Sequence, residues 1–188
     1  MTGMELDPTT AQISALLHPE ATIANESFAD NSLVGDGYDL TIGNDPFGSW
    51  SLHDPIHNAG KLNVHNHFFV KSLELTKPGG LVAVLTSRYT LDSTSTGARK
   101  RMRDLGDLVG AVRLPAKAHL ETAGTDAITD LVIFRRRKAG EIPRSTDWLE
   151  TRTDLAVIRL DMPGEWVPRR AGIWIATGRT SLTSRIPF

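Results

Sequence analysis

Apolar residues recur at helical spacing in three segments of the chain, which predicts three amphipathic helices. The first begins after Asp7, which can cap it, and ends at 18–19, because the residue before a proline avoids the α region. The second spans 63–76, where the apolar arc is broad, and the third is a basic helix over 98–105. These segments supply the helical layer of the predicted fold.

Other segments have the β-branched, aromatic or continuously apolar character of strands. One strand ends just before Glu5, and the others span 22–24, 38–42, 81–85, 108–114 and 131–136. The run over 81–85 is apolar at every position, so we expect it to be covered on both faces. Strands alternating with helices predict an α/β fold with a mainly parallel sheet, whose sites lie beyond the carboxyl ends of strands.

The amino-acid composition excludes several kinds of protein and of active site. The 188 residues suffice for one ordinary domain, and the sequence contains no cysteine, which excludes disulfides, thiolate metal sites and a cysteine nucleophile. A net charge of −1 is not that of a chain that binds nucleic acid strongly by itself. The longest apolar run, 81–85, is too short for a membrane span, and no secretion signal is visible, so we expect a cytoplasmic protein.

The most informative segment is the turn at 43–48, directly after the strand over 38–42. There the side-chain oxygen of Asn44 and the backbone carbonyl of Asp45 can each accept one N–H of an exocyclic amine on a nucleobase. Such an amine is a poor nucleophile, and two acceptors favour a pyramidal nitrogen whose lone pair points at an electrophile. Pro46 stiffens the turn, and the ring of Phe47 can stack on the base. The alternative is a purely structural turn stabilised by asparagine and proline.

Histidines and basic runs are further candidate sites. A metal site built from the histidines at 53, 57, 65 and 67 is disfavoured, because no cysteine supports it and the carboxylates lack helical spacing to them. Since these histidines follow the turn, contact with substrate or with backbone phosphate is the more favoured role. The basic runs at 99–103 and 135–138 could meet DNA, although solvated helix and strand ends are the simpler interpretation.

The turn resembles the Asn/Asp-Pro-Pro-Tyr/Phe motif of amino-group methyltransferases that use S-adenosylmethionine. Seven further segments continue the likeness in order: 66–73, 77–83, 86–88, 91–93, 110–115, 123–125 and 129–131. Together they resemble the N6-adenine DNA methylase domain of large bacterial, phage and plasmid methylase–helicase proteins, over residues 3–137. The resemblance implies a Rossmann-like methyltransferase fold, S-adenosylmethionine as cofactor, and DNA and the remainder of a larger methylase–helicase protein as partners.

The resemblance also assigns roles to single residues. Glu5 falls in the family's second cofactor motif, where an acid accepts from both ribose hydroxyls. Ser27 and Phe28 fall where the family contacts the cofactor adenine, and Phe28 would stack on it, although a core role for Phe28 is the alternative. Asn44 also borders the cofactor. His119 falls where relatives often carry a second aromatic against the target base, although a plain surface histidine is the simpler interpretation.

Two departures from the family pattern matter. Asp45 stands where the family usually has proline, which the motif tolerates because the backbone carbonyl does the work. Only four residues precede Glu5, so the Gly-rich loop expected about 20 residues before it has no counterpart. We therefore expect a partial catalytic domain over 1–138 that lacks its first βα unit, with an exposed apolar groove beside the Glu5 strand, and a divergent extension over 139–188.

The leading expectation is the catalytic portion of an N6-adenine DNA methyltransferase that flips its target base out of the duplex. Two alternatives stay open. One is a catalytically inactive remnant or interaction module, because half of the cofactor site would be missing. The other keeps the turn but changes the substrate to an RNA base or a protein glutamine.

Overall fold

A computed structural model describes residues 1–30, 33, 37–144, 146–149 and 158–159. Its elements follow in chain order: β1 (Thr2–Met4), α1 (Pro8–Leu17), β2 (Thr22–Ala24), β3 (Tyr38–Asn44), α2 (Val64–Leu75), β4 (Thr76–Ser87), α3 (Tyr89–Asp92), α4 (Gly97–Leu105), β5 (Gly106–Arg113), α5 (Leu120–Ala123), β6 (Thr129–Arg136), a 3₁₀ turn (Asp147–Leu149) and β7 (Ile158–Arg159).

The three predicted helices are confirmed as α1, α2 and α4. Asp7 caps α1, since its Oδ1 accepts the N–H of Thr10 at 2.7 Å, and the helix ends at Leu17, before the His18-Pro19 pair. The predicted strands are confirmed as well. β4 is longer than expected, because the chain becomes extended at Thr76, directly after α2, and stays extended through Pro78 and Gly79.

The strands form two separate sheets. β1 and β2 make a parallel pair, and the other five strands lie in the order β3-β4-β6-β5-β7. β3 is parallel to β4 and β5 is parallel to β7, whereas β6 runs antiparallel to both of its neighbours. The α/β class is confirmed, and the sheet is mixed because β6 is inserted antiparallel between β4 and β5.

One face of the five-stranded sheet carries the hydrophobic core. Phe69 and Leu73 of α2 and Met102 of α4 are fully buried against Val84 and Phe134 of the sheet. Burying such side chains contributes about 1.5–3 kcal/mol each. The two helices therefore cover this face and stabilise the orientation of β3 and β4.

Part of the predicted 139–188 extension belongs to this core. Trp148 is 5% exposed, and its ring lies edge-on to Phe134 with the centroids 5.2 Å apart. Arg99 Nε donates to the carbonyl of Leu149 at 2.9 Å, which ties the same turn to α4. The stretch over 162–188 lies outside the described residues.

The opposite face of the sheet is apolar and open. Leu40 pairs with Leu81 and Leu85 pairs with Leu131, so these four side chains share one face. The predicted coverage of the 81–85 strand on both faces is wrong for the described part of the chain, because α2 and α4 pack on the other side and Leu81 stays 41% exposed. Within the described part of the chain, no helix combines the length and the hydrophobicity of a transmembrane span.

Candidate functional site

The turn after β3 lies where the sequence places it, at the end of a strand. β3 ends at Asn44, whose side chain is exposed, and the next N–H, that of Asp45, donates to the carbonyl of Leu85 at 2.9 Å. This hydrogen bond fixes the turn to β4, the neighbouring strand. The acceptor groups of the turn are therefore held by the sheet rather than by a free loop.

Two concave sites flank this turn. The first, the β1–β3 groove, has a volume of about 480 Å³ and is lined by Thr2–Glu5, Phe28, Leu33, Tyr38, Leu40–Asp45, Phe68, Ser72 and Leu75. The second, the Phe47 pocket, has a volume of about 560 Å³ and is lined by Phe47–Ser49, Asn63, His65, Ser87–Tyr89 and Asp126–Ile128. Asn44 and Asp45 thus border one site and Phe47 borders the other, so the turn is the wall between them.

The β1–β3 groove brings together three residues that the sequence predicts to bind the cofactor. Glu5 enters from the end of β1, Phe28 from the loop after β2, and Asn44 from the end of β3. Glu5 Oε1 accepts the N–H of Asp7 at 2.9 Å, which orients its carboxylate. Residues from three separate elements therefore converge on one groove. A groove lies beside the Glu5 strand as expected, but polar side chains such as Thr41 and Ser72 line it as well as apolar ones.

Ser27 does not share the groove. Its Oγ accepts the N–H of Ala29 at 3.2 Å, an interaction within its own turn. The neighbouring Phe28 does line the groove, packed on Phe68 with ring centroids 4.8 Å apart and with Lys71 Nζ 5.2 Å from its ring centre. Of this pair, only Phe28 is in a position to meet a ligand in the groove.

Asp45 carries a buried carboxyl in the wall of the groove. The residue is 5% exposed, and its Oδ2 has no hydrogen-bond partner within the described residues. Burial raises the pKa of this carboxyl well above its ordinary value. The motif assigns a role only to the backbone carbonyl of Asp45, so the burial of the carboxyl is a feature that the sequence by itself does not reveal.

The Phe47 pocket brings His65, one of the histidines that the sequence favours for contact with substrate or phosphate, together with Arg88 and Tyr89. The guanidinium carbon of Arg88 lies 4.9 Å from the centre of the Tyr89 ring, and Nη2 of Arg88 donates to the Tyr89 hydroxyl at 3.1 Å. His65 is 5% exposed, and burial lowers the pKa of its imidazole, so the ring is neutral at pH 7. These residues come from α2 and from the β4–α3 junction, and no local spacing signals that they meet.

Gly48 has a steric role beside this pocket. A Cβ at this position would lie 1.8 Å from the ring of Trp50, so a larger residue would force the indole to move. The carbonyl of Trp50 accepts the N–H of Val64 at 2.9 Å, which links the turn to the start of α2. The glycine therefore lets the chain fold tightly past Phe47.

His119 lies elsewhere. Its Nε2 is 2.8 Å from Oγ1 of Thr129, and it is not one of the residues that line the Phe47 pocket. The structure thus does not place His119 beside Phe47, and its stacking role stays a prediction. The aromatic side chain that does share the pocket with Phe47 is Tyr89.

A buried ionic cluster anchors the loop between the turn and α2. Asp54 Oδ2 accepts from Lys71 Nζ at 2.8 Å and lies 3.1 Å from His67 Nε2, and all three side chains are nearly inaccessible. Burial alone would raise the pKa of the Asp54 carboxyl, but the bonds from Lys71, the His57 backbone and His67 together bring it well below its usual range. Among the described residues no group of three His, Asp or Glu side chains is placed to hold a metal ion.

No family model matches the sequence. A curated protein of Escherichia phage P1, "Defense against restriction protein B", is 29% identical over 147 residues, which cover 74% of this chain and 6% of that protein. The chain therefore spans only a small part of the length of this relative.

Solved structures share the fold. A protein of Listeria monocytogenes described as a class I S-adenosylmethionine-dependent methyltransferase superposes with a TM-score of 0.63 at 21% identity, covering 85% of this chain and 49% of that one. The methyltransferase subunit of a type I restriction-modification system from Streptococcus thermophilus gives 0.60 at 17% identity, covering 73% and 34%. The chain thus has the Rossmann-like fold of S-adenosylmethionine-dependent methyltransferases, and it spans about half or less of these two proteins.

Proposed function

We propose that this chain is the catalytic portion of an N6-adenine DNA methyltransferase that uses S-adenosylmethionine. The observation that carries the proposal is the position of the 44–47 turn, which separates the β1–β3 groove from the Phe47 pocket. A group-transfer enzyme needs a donor site and an acceptor site that meet at one point. The acceptor atoms of the turn stand at that point.

The groove fits the adenosine end of the cofactor. The Glu5 carboxylate suits a ribose diol, and the Phe28 ring supplies an aromatic surface for the adenine. When bound, the cofactor supplies a methyl group activated by its positively charged sulfur. Within the described residues no Gly-rich turn leads from a strand into a helix, so the described groove, through Glu5 and Phe28, accounts only for contacts to the adenosine end.

The Phe47 pocket would receive the target base. Phe47 stacks on a flat ring, and the exposed Tyr89, backed by Arg88, offers a second aromatic surface in the same pocket. A base paired within a duplex cannot reach this pocket, so it has to be flipped out at a cost of a few kcal/mol. Because the buried His65 is neutral at pH 7, it adds no positive charge to the wall of the pocket.

The turn would activate the amine. The Asn44 side-chain oxygen and the Asp45 carbonyl accept its two N–H groups, which directs the nitrogen lone pair toward the groove. Once methylated, the amine carries a positive charge and loses a proton readily, so no strong base is required at this position. Holding the two reactants in line supplies much of the rate acceleration.

DNA is proposed as the substrate because two of the similar proteins are named for restriction and its avoidance. The chain itself has a net charge of −1, so most of the phosphate contacts would come from other parts of a larger protein or assembly. This division of labour matches the small share of the relatives that the chain spans.

The test is methyl transfer from labelled S-adenosylmethionine by the full chain, with adenine-containing duplex DNA, RNA and glutamine peptides as separate substrates. We expect transfer to DNA, and we expect Asn44→Ala to reduce the rate by about 100-fold or more, as for loss of a preorganised transition-state contact. Gln12→Ala, which removes an exposed amide on α1, is the matched control and should change the rate less than about twofold.

Three results would contradict the proposal. One is an Asn44→Ala variant as active as the wild type. Another is preferred transfer to RNA or peptide, which would move the activity to the alternative substrates. The last is wild-type protein that neither binds S-adenosylmethionine at millimolar concentration in calorimetry nor transfers methyl groups, which would favour a non-catalytic interaction module.

A further inference from the structure

The carboxyl of Asp45 is a buried acid without a counter-charge among the described residues. Its Oδ2 has no hydrogen-bond partner there, and burial raises its pKa with no described basic side chain to lower it again. The carboxyl of Asp54 is also buried, but it meets the cationic Lys71 and the ring of His67. Ionisation of Asp45 therefore has a desolvation cost that nothing in the described chain balances.

The Asp45 carboxyl lies beside open space at the β1–β3 groove. Asp45 and Gly43 both line the groove, and a Cβ added at Gly43 would lie 3.7 Å from Oδ1 of Asp45 and 3.8 Å from Cγ1 of Val84. Apart from the chain neighbours of Gly43, no other described atom lies within 4 Å of that point. The absence of a side chain at Gly43 thus leaves room for a ligand group next to the carboxyl.

The ionisable side chains that line the groove are all acids. They are Glu5, Tyr38 and Asp45, and its described lining residues include no lysine, arginine or histidine. A cleft lined by groups of one sign of charge favours ligands of the opposite sign. The groove is therefore suited to a ligand that carries positive charge.

We propose that the Asp45 carboxyl binds a cationic group at the methionine end of S-adenosylmethionine and releases its proton to the solvent when the cofactor binds. The inference rests on the proposed function, because it takes S-adenosylmethionine as the cofactor. That end of the cofactor carries two cations, the sulfonium and the ammonium, and a carboxylate attracts either one strongly in a buried site. The contact adds to those of Glu5 and Phe28 at the adenosine end.

Proton release makes the affinity depend on pH. Between its ordinary and its raised pKa, the free carboxyl of Asp45 keeps its proton, whereas a cation beside it favours the ionised form. The affinity for the cofactor should therefore rise with pH, by up to about tenfold per pH unit when one proton is released. A ligand without a positive charge should show no such rise.

The test is isothermal titration calorimetry of the full chain with S-adenosylmethionine at pH 5, 6 and 7, each in two buffers of different ionisation enthalpy. The difference in binding enthalpy between the buffers gives the number of protons released. Asp45→Asn keeps the shape of the side chain but cannot ionise. It should lose the release and bind the cofactor about tenfold more weakly at pH 7, the equivalent of one unit of pKa.

Asp39→Asn is the matched control, because Asp39 is an exposed aspartate of the same strand and does not line the groove. It should release as many protons as the wild type and change the affinity less than about twofold. Thermal unfolding checks that both variants fold. If Asp45→Asn does not fold, the measurements on the wild type with different ligands still decide.

Two analogues of the cofactor identify the cation. S-adenosylhomocysteine keeps the ammonium but lacks the sulfonium, and methylthioadenosine lacks both. Proton release with S-adenosylhomocysteine assigns the ammonium as the partner of Asp45, and release with S-adenosylmethionine alone assigns the sulfonium. Methylthioadenosine should bind without release in either case.

The proposal is overturned if the wild type binds S-adenosylmethionine without releasing a proton, or if Asp45→Asn or methylthioadenosine gives the same release. Each of these results leaves the proposed methyl transfer intact. A wild-type chain that does not bind S-adenosylmethionine at all overturns this inference together with the proposed function, so the two failures are distinguishable.

Discussion

The two faces of the five-stranded sheet differ sharply although the strands that form them are equally apolar. On the covered face, Val82, Val84 and Phe134 are fully buried beneath α2 and α4, whereas on the open face Leu40 and Ile42 remain more than half exposed. A central strand such as β4 contributes alternate residues to the covered face and to the open face. The difference therefore comes from what packs on each face and not from the hydrophobicity of the strands.

The candidate site lies on the border between these two environments. Asn44 is exposed at the end of β3, on the open side, while the next residue, Asp45, is buried against β4. One residue of the motif is thus accessible to a ligand, and its neighbour fixes the turn to the core. The turn is therefore held rigidly by the core while the Asn44 amide stays accessible from the open groove.

The largest expected contrast is between truncations on the two faces. Phe69→Ala, on the covered face, should reduce the free energy of unfolding by about 3–5 kcal/mol, because it leaves a cavity in the core. Ile42→Ala, on the open face, should cost less than about 0.5 kcal/mol, as for an exposed position. Urea denaturation measures both, and equal losses would show that the open face is covered in solution.

The second contrast concerns two lysine–aspartate pairs, one buried and one exposed. Lys71→Met removes the buried ammonium partner of the Asp54 carboxylate and should cost about 3–5 kcal/mol. Lys77→Met, which removes the exposed partner of Asp39, should cost less than about 1 kcal/mol. A small effect of Lys71→Met in the same denaturation assay would contradict the burial of the cluster.

The smallest expected effect is at Asp45, and its sign is opposite. Burial raises the pKa of this carboxyl in the folded state, so its stabilising contribution is present below about pH 4, the unfolded value, and is lost as pH rises toward the folded pKa. The amide side chain introduced by Asp45→Asn does not titrate, so this variant should be more stable than wild type at pH 7. The difference should vanish near pH 3.

Asp54 gives the reference for that pH series. Because its folded-state pKa is lowered, its contribution is present above about pH 4 and is lost as pH falls. Thermal unfolding of wild type, Asp45→Asn and Asp54→Asn between pH 3 and 8 distinguishes the two opposite dependences of stability on pH. If the stability of Asp45→Asn equals that of the wild type at every pH, the Asp45 carboxyl is not buried in the folded protein.

The local elements were determined by the sequence. The Asp7 cap, the helical spacing of Phe69 and Leu73, and the turn residues after β3 act over a few neighbouring positions, so periodicity and capping rules locate them. The resemblance likewise assigns Glu5, Ser27, Phe28 and Asn44 to one cofactor site, and all of these except Ser27 line the β1–β3 groove. Their roles there stay proposals until activity is measured.

What only the tertiary structure decided depends on contacts between distant parts of the chain. The antiparallel insertion of β6, the exposure of Leu81 and the placement of Phe47 and Tyr89 in one pocket follow from how strands and helices pack. An apolar strand has the same sequence signature whether one or both of its faces are covered, because the pattern records the side chains and not the partners that pack on them.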